Sequence, residues 1–118
     1  MKKLPLAELV VALVIVGAGV GVYLHAHRDE GAIEETKARG VAIVEALWEY
    51  RAAEGSYPPS LDALVPAHLD RIPAPAWGDE WMYRTFDDGA HCELYVRAPE
   101  GRLTLRYDFI GRRWALDN

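Results

Sequence analysis

From Leu4 to Leu24 the chain reads LPLAELVVALVIVGAGVGVYL, twenty-one residues with one charged side chain, Glu8. At about 1.5 Å of rise per residue a helix of that length reaches roughly 30 Å, the thickness of a bilayer's hydrocarbon core. Its apolar groups would face every direction, and the rest of the chain is too small to bury them, so lipid is the cheaper solvent. Lys2 and Lys3 precede the run, whereas Arg28 beyond it is followed at once by Asp29 and Glu30. Positive flanks stay in the cytoplasm, so the expectation is a single transmembrane pass with the amino terminus inside and residues from about His25 onward outside. A cleavable secretory signal is the competing reading, but its cutting site is poor: Leu24, two residues before Ala26, is larger than the usual alanine.

An anchor and its flank over residues 1–28 leave residues 29–118, enough for one small domain with a modest core. That external part holds 10 basic and 17 acidic side chains, a balance that argues against nucleic acid as a partner. Cys92 is the only cysteine, so no intramolecular disulfide staples the domain. Four Trp, six Tyr and two Phe, nearly all beyond residue 47, supply the apolar area that must hold it together.

Ile33, Lys37, Gly40 or Val41, Val44, Leu47 or Trp48, and Arg51 recur every three to four residues, which predicts a helix over Glu30–Glu54 with one buried stripe. Glu34, Glu35, Glu45, Glu49 and Glu54 fall mostly off that stripe and read as a solvated face. Gly55 stops the helix, and Tyr57-Pro58-Pro59 keeps it from resuming. Ser60 is placed to cap a short helix, Leu61–Val65, closed by Pro66. Residues 66–80 read as an extended surface crossing with Leu69 and Ile72 tucked inward. Trp81–Phe86 then reads as a strand, period two marks Cys92–Ala98 and Leu103–Phe109, and Arg113–Leu116 gives a short last strand, with turns at Asp87-Asp88-Gly89, Glu100-Gly101 and Gly111 between them. An antiparallel sheet of three to four strands with one apolar face needs a cover, and the helical stripe is the only candidate long enough. The predicted fold class is therefore α+β, with a long amino-terminal helix, transmembrane and then amphipathic, packed on a small sheet.

Glu8 is out of place in this scheme, since a carboxylate in hydrocarbon costs a few kcal/mol and normally has a partner or a function. Glu8-Leu9-Val10-Val11 and the Val/Ile/Ala/Gly run behind it resemble the amino-terminal helix of type IV pilins and type II secretion pseudopilins. In that family a glutamate in the apolar helix pairs with the terminal amine of a neighbouring subunit, and Glu8 matches it. The stretch Gly55-Ser56-Tyr57-Pro58 with Leu61 and Leu64 resembles the turn and half-turn that follow the long helix of pseudopilins. Pro75-Ala76-Trp77-Gly78 with Trp81-Met82-Tyr83 is similar to the start of their sheet, although Ala74 replaces the family's aspartate. Lys3 and Leu4 stand where the family has a glycine and usually a phenylalanine around its peptidase cut, so the likeness implies a divergent, uncut relative. Gly17 and Gly21 have the small-xxx-small spacing that lets membrane helices approach closely.

No catalytic constellation, cofactor motif or metal cluster emerges from the chain. His25, His27, His68 and His91 lack ligand spacing, and Asp87, Asp88 and Glu93 make too short a loop for the calcium site of some pseudopilins. Cys92 falls on the apolar side of its strand and reads as a buried, inert thiol. The tail from Arg102 to Asn118 carries four Arg against two Asp while the long helix is acidic, so opposite patches of neighbouring subunits are a further candidate contact.

These readings converge on a structural subunit of a pilin-like or pseudopilin-like envelope system, not an enzyme. It would be anchored in the inner membrane with its domain in the periplasm. The expected partners are the lipid bilayer, other pilin-like or secretion-system subunits and further copies of itself, with Glu8, Gly17 and Gly21 as the subunit-contact residues. The alternative is a stand-alone anchored binding or accessory domain of the same fold with no filament role.

Overall fold

A computed structural model describes the backbone of residues 6–118 and the side chains of residues 29–118. A single helix, α1, runs over Leu6–Glu54, followed by a 3-10 turn at Leu61–Leu64 and four strands, β1 (Met82–Phe86), β2 (His91–Arg97), β3 (Thr104–Asp108) and β4 (Arg113–Asp117). The chain divides into two compact units, Met1–Gly31 and Ala32–Asn118. Leu4–Leu24, which carries the expectation of an anchor, lies outside the residues whose side chains are described. Among the described residues no helix is long and apolar enough to cross a membrane.

Within Ala32–Asn118 the strands form one antiparallel meander in the order β1-β2-β3-β4, each paired with the strand before it. Alternation sends Cys92, Leu94, Val96, Leu105 and Tyr107 to one face, where they are buried, and Arg84, Arg97, Arg106 and Arg113 to the other, where they are exposed. The apolar face packs on α1: Ile43, Val44, Leu47, Leu64, Leu94 and Leu105 are all at most 2% exposed and form the centre of the core. Burying each of these Leu or Ile side chains contributes about 1.5–3 kcal/mol, which makes the helix-to-sheet seam the main source of stability in the absence of a disulfide. Around it Trp48, Tyr107 and Phe109 meet edge to face, with centroids 4.9–6.5 Å apart.

α1 ends as expected. Gly55 N donates to Arg51 O at 2.8 Å with Gly55 at φ +86°, the left-handed conformation that finishes a helix and that glycine adopts without a Cβ penalty. Its buried stripe keeps Gly40, Val44 and Leu47 of the predicted one but is turned toward Thr36 and Ile43 and away from Lys37 and Arg51. Thr36, Gly40, Ile43, Val44 and Leu47 are buried, whereas Val41 is 44% exposed, Arg51 is exposed and Lys37 is only half-buried. Gly40 explains the rotation: Trp81 and Trp114, 6.0 Å apart between centroids, fill the space that a side chain there would take. The turn after the helix also differs in detail. It is 3-10, stops at Leu64, and the Ser60 side chain caps nothing.

Residues 66–80 cross the surface as predicted, with Leu69 and Ile72 packed against the core. They are fastened to α1 by Thr36, the only buried polar or charged side chain among the described residues. Its hydroxyl donates to Ala32 O at 2.8 Å and accepts from Ala76 N at 3.0 Å and Trp77 N at 2.8 Å. Replacing Thr36 with Val keeps the shape but leaves those two amides without a partner. A loss of about 2 kcal/mol or more is expected in chemical denaturation, and Thr36→Ser, which retains the hydroxyl, should recover most of it.

Candidate functional site

The contact residues predicted from the sequence, Glu8, Gly17 and Gly21, fall in the first half of α1, where side chains are not described. The structure therefore neither brings them together nor separates them. What it does define is the junction below the long helix and the two faces of the domain.

At the junction Tyr57 is buried, and its amide donates to Gly89 O at 2.8 Å, tying the helix exit to the β1–β2 loop. The Arg51 guanidinium lies 5.0 Å over the Tyr57 ring and donates to its hydroxyl at 3.4 Å. Tyr83 donates its hydroxyl to Pro58 O at 2.6 Å, and Tyr57 meets Phe109 edge to face at 5.8 Å. Tyr57 and Pro58 thus fix where the chain leaves α1. The aromatic-Pro spacing in the sequence was the visible signal for this; the partners Tyr83 and Gly89, far along the chain, were not.

β2 and β3 pair only from Tyr95↔Arg106 to Arg97↔Thr104, whereas β1–β2 pairing continues to Phe86↔His91 and β3–β4 pairing to Asp108↔Arg113. The sheet consequently splits at one end into two hairpins, with an open cleft of about 690 Å³ between them. Phe86, His91 and Cys92 wall one side, Tyr107, Phe109 and Ile110 the other. Sequence periodicity gave no sign of this fork, because alternation continues unbroken through both strands.

The polar groups around the cleft hold structure. Asp108 accepts from Gly111 N and Ile110 N, both at 3.0 Å, and these bonds, Gly111 first, hold its carboxyl below the usual range. Asp117 accepts a close hydrogen bond from Arg106. Among the described residues no group of three His, Cys, Asp or Glu side chains is arranged to hold a metal ion. Burial pushes the Cys92 thiol up to about 12, with Arg51 opposing weakly, so it stays protonated at neutral pH as its place on the apolar face suggested.

An alkaline dependence of stability follows. The unfolded thiol ionises near its ordinary value of 9.0 and the folded one only at about 12. Above pH 9 the unfolded chain therefore releases a proton that the folded chain keeps, and stability present in full below pH 9 is lost as pH rises toward 12. Tyr83, raised first by burial and then by Cys92, Tyr57 and Tyr50, acts in the same direction above its ordinary 10.0. The urea midpoint should fall between about pH 8 and pH 11. Cys92→Ala should show a smaller fall.

The acidic helix face and the arginine-rich tail are largely satisfied within the domain. Glu34 pairs with Lys37 at 2.9 Å, Glu35 with Arg39 at 2.8 Å and Glu49 with His68 at 3.5 Å. Arg106 pairs with Asp117, and Arg112 lies 5.2 Å over the Trp48 ring. Arg102 and Arg113 remain exposed at the rim and on the outer face.

No protein-family model matches the chain, and no curated protein or solved structure is significantly similar to it.

Proposed function

We propose that this chain is a structural subunit of a pilin-like or type II secretion pseudopilin-like assembly in a Gram-negative cell envelope. In this reading residues 4–24 lie in the inner membrane, the amino terminus is cytoplasmic and the α+β domain is periplasmic. Subunits associate through the anchor, with Glu8 as the buried polar contact and Gly17 and Gly21 as the points of close approach. The observation that carries the proposal is one uninterrupted helix, Leu6–Glu54, beginning in an apolar run and ending at a Tyr-Pro junction on an antiparallel meander. An apolar helix followed by a small domain is the arrangement of a subunit held at the membrane by its amino-terminal end.

A stand-alone anchored binding or accessory domain is the second reading, favoured by Lys3 and Leu4 at the place where the resemblance requires a peptidase site. Glu8→Ala separates the two. If assembly runs through the anchor, crosslinked oligomers in membranes of expressing cells should fall severalfold in the variant, because a buried charge-assisted contact is lost. Unchanged crosslinking would leave the accessory-domain reading. The intact mass of protein from cells should begin at Met1 or Lys2 if the chain is uncut.

A further inference from the structure

β4 is an outer strand of the meander and pairs only with β3. Open edges are templates for further pairing, and proteins usually blunt them with lysine, proline or a bulge. The five residues of β4, Arg113-Trp114-Ala115-Leu116-Asp117, hold no lysine, proline or bulge, and their two charges, Arg113 and Asp117, are of opposite sign. Leu116 belongs to the face turned toward α1 yet is 49% exposed, so α1 does not cover this margin of the sheet.

We infer that β4 is a self-pairing edge, through which two copies of this chain join antiparallel about a two-fold axis at Ala115. The sequence of the strand is self-complementary in that register. Arg113 of each copy stands opposite Asp117 of the other on the outer face, Trp114 stands opposite Leu116 on the inner face, and Ala115 stands opposite itself. Two opposite-charge cross-strand pairs and two aromatic–aliphatic pairs form, and no like charges face each other. The rival arrangement, β4 of one copy on β1 of the next, does not offer this. Met82–Phe86 contains no acid, so Arg113 would find no carboxylate there, and the head-to-tail contact would not close. The two-fold arrangement is isologous and ends at two copies, giving one continuous eight-stranded sheet with the arginine-bearing faces on the same side. No residue before Arg113 takes part, but the axis stands normal to the sheet, so the α1 segments packed on it run in opposite directions in the two copies and the pairing is an alternative to association of anchors in one bilayer.

The test uses the full-length chain in mild detergent, with Cys92 left in place as a buried thiol. Ala115→Cys puts two thiols directly across the axis, where opposed Cβ atoms sit about 4.5–5.5 Å apart, within reach of a disulfide after a small adjustment. Mild oxidation should convert most of this variant to a reducible dimer, while the unsubstituted chain and Arg84→Cys, on the opposite edge, should remain monomeric on a non-reducing gel. Adding Arg113→Asp sets two like-charge pairs in place of two opposite ones and should lower the dimer yield about tenfold. Adding Asp117→Arg as well should recover part of it, because Asp117 also holds Arg106 within the chain and Arg113 stands opposite Asp108. Circular dichroism of each variant, matched to the parent, shows that the domain is folded. Crosslinking of Ala115→Cys no greater than that of Arg84→Cys overturns the proposal, and so does a dimer yield indifferent to the charge changes or not recovered by the double exchange. Association through the anchor alone would give that indifference, so a failure here is distinct from a failure of the proposed assembly role.

Discussion

Gly78→Ala should lower the melting temperature by about 15 °C or more, on the scale of about 4–8 °C per kcal/mol for a domain of this size. Gly78 sits at φ +81°, which costs a residue with a Cβ about 1–2 kcal/mol by itself. The added carbon would also run into Arg97 O and lie 2.7 Å from Val96 Cγ2. Neither neighbour can give way: Val96 is fully buried in β2, and the backbone just before Gly78 is held to Thr36 through the Trp77 amide. Strain and overpacking together reach about 3–5 kcal/mol, a large share of what a small domain possesses. Thermal unfolding followed by circular dichroism decides the matter, and a melting temperature within about 2 °C of the parent would show that the crossing segment relaxes freely.

The space shared by Gly40 and Trp114 is expected to give the next large effects, for reasons of size alone. A Cβ there would lie 2.9 Å from the Trp81 ring and closer still to Trp114, so Gly40→Ala forces the seam between α1 and β4 apart and should cost about 1–3 kcal/mol despite alanine's better helix propensity. Trp114→Ala removes a half-buried indole and should cost about 3 kcal/mol. Combined, the two changes should be less damaging than their sum, since the ring that collides with the new methyl has gone. Strict additivity in a denaturation cycle would mean that the two sites do not share this space.

Much of the architecture was legible because it depends on local pattern. Period two marked β2 and β3 to within one residue, since each has one buried and one wet face, whereas β1 and β4, which bury no residue fully, were placed by the turns beside them. Gly55 and Tyr57-Pro58 marked the end of α1 because backbone chemistry there leaves little choice. The orientation of α1 was less legible. Val41 and Trp48 look like better core residues than Thr36 or Gly40, yet burial was decided by what stands opposite, namely the paired indoles and the two amides at Ala76 and Trp77. Nothing within a helical turn of Thr36 announces partners about 40 residues away. The Ser60 position had the right residue for a cap, but a single 3-10 turn left its side chain unused. Glu8, Gly17 and Gly21 are marked by sequence alone, and the fork between β2 and β3 is visible only in the structure, because register is a property of two strands at once.

The meander also sets an order of events in folding. Each hairpin joins strands a few residues apart and closes quickly, while the contacts that bring α1 onto the sheet span dozens of residues and must wait for a larger loop to close. Leu94, Val96 and Leu105 are fully buried only because α1 and the crossing segment cover that side of the sheet. A change that loosens α1 from the sheet therefore uncovers the apolar sides of three strands at once, and its cost falls on the whole domain.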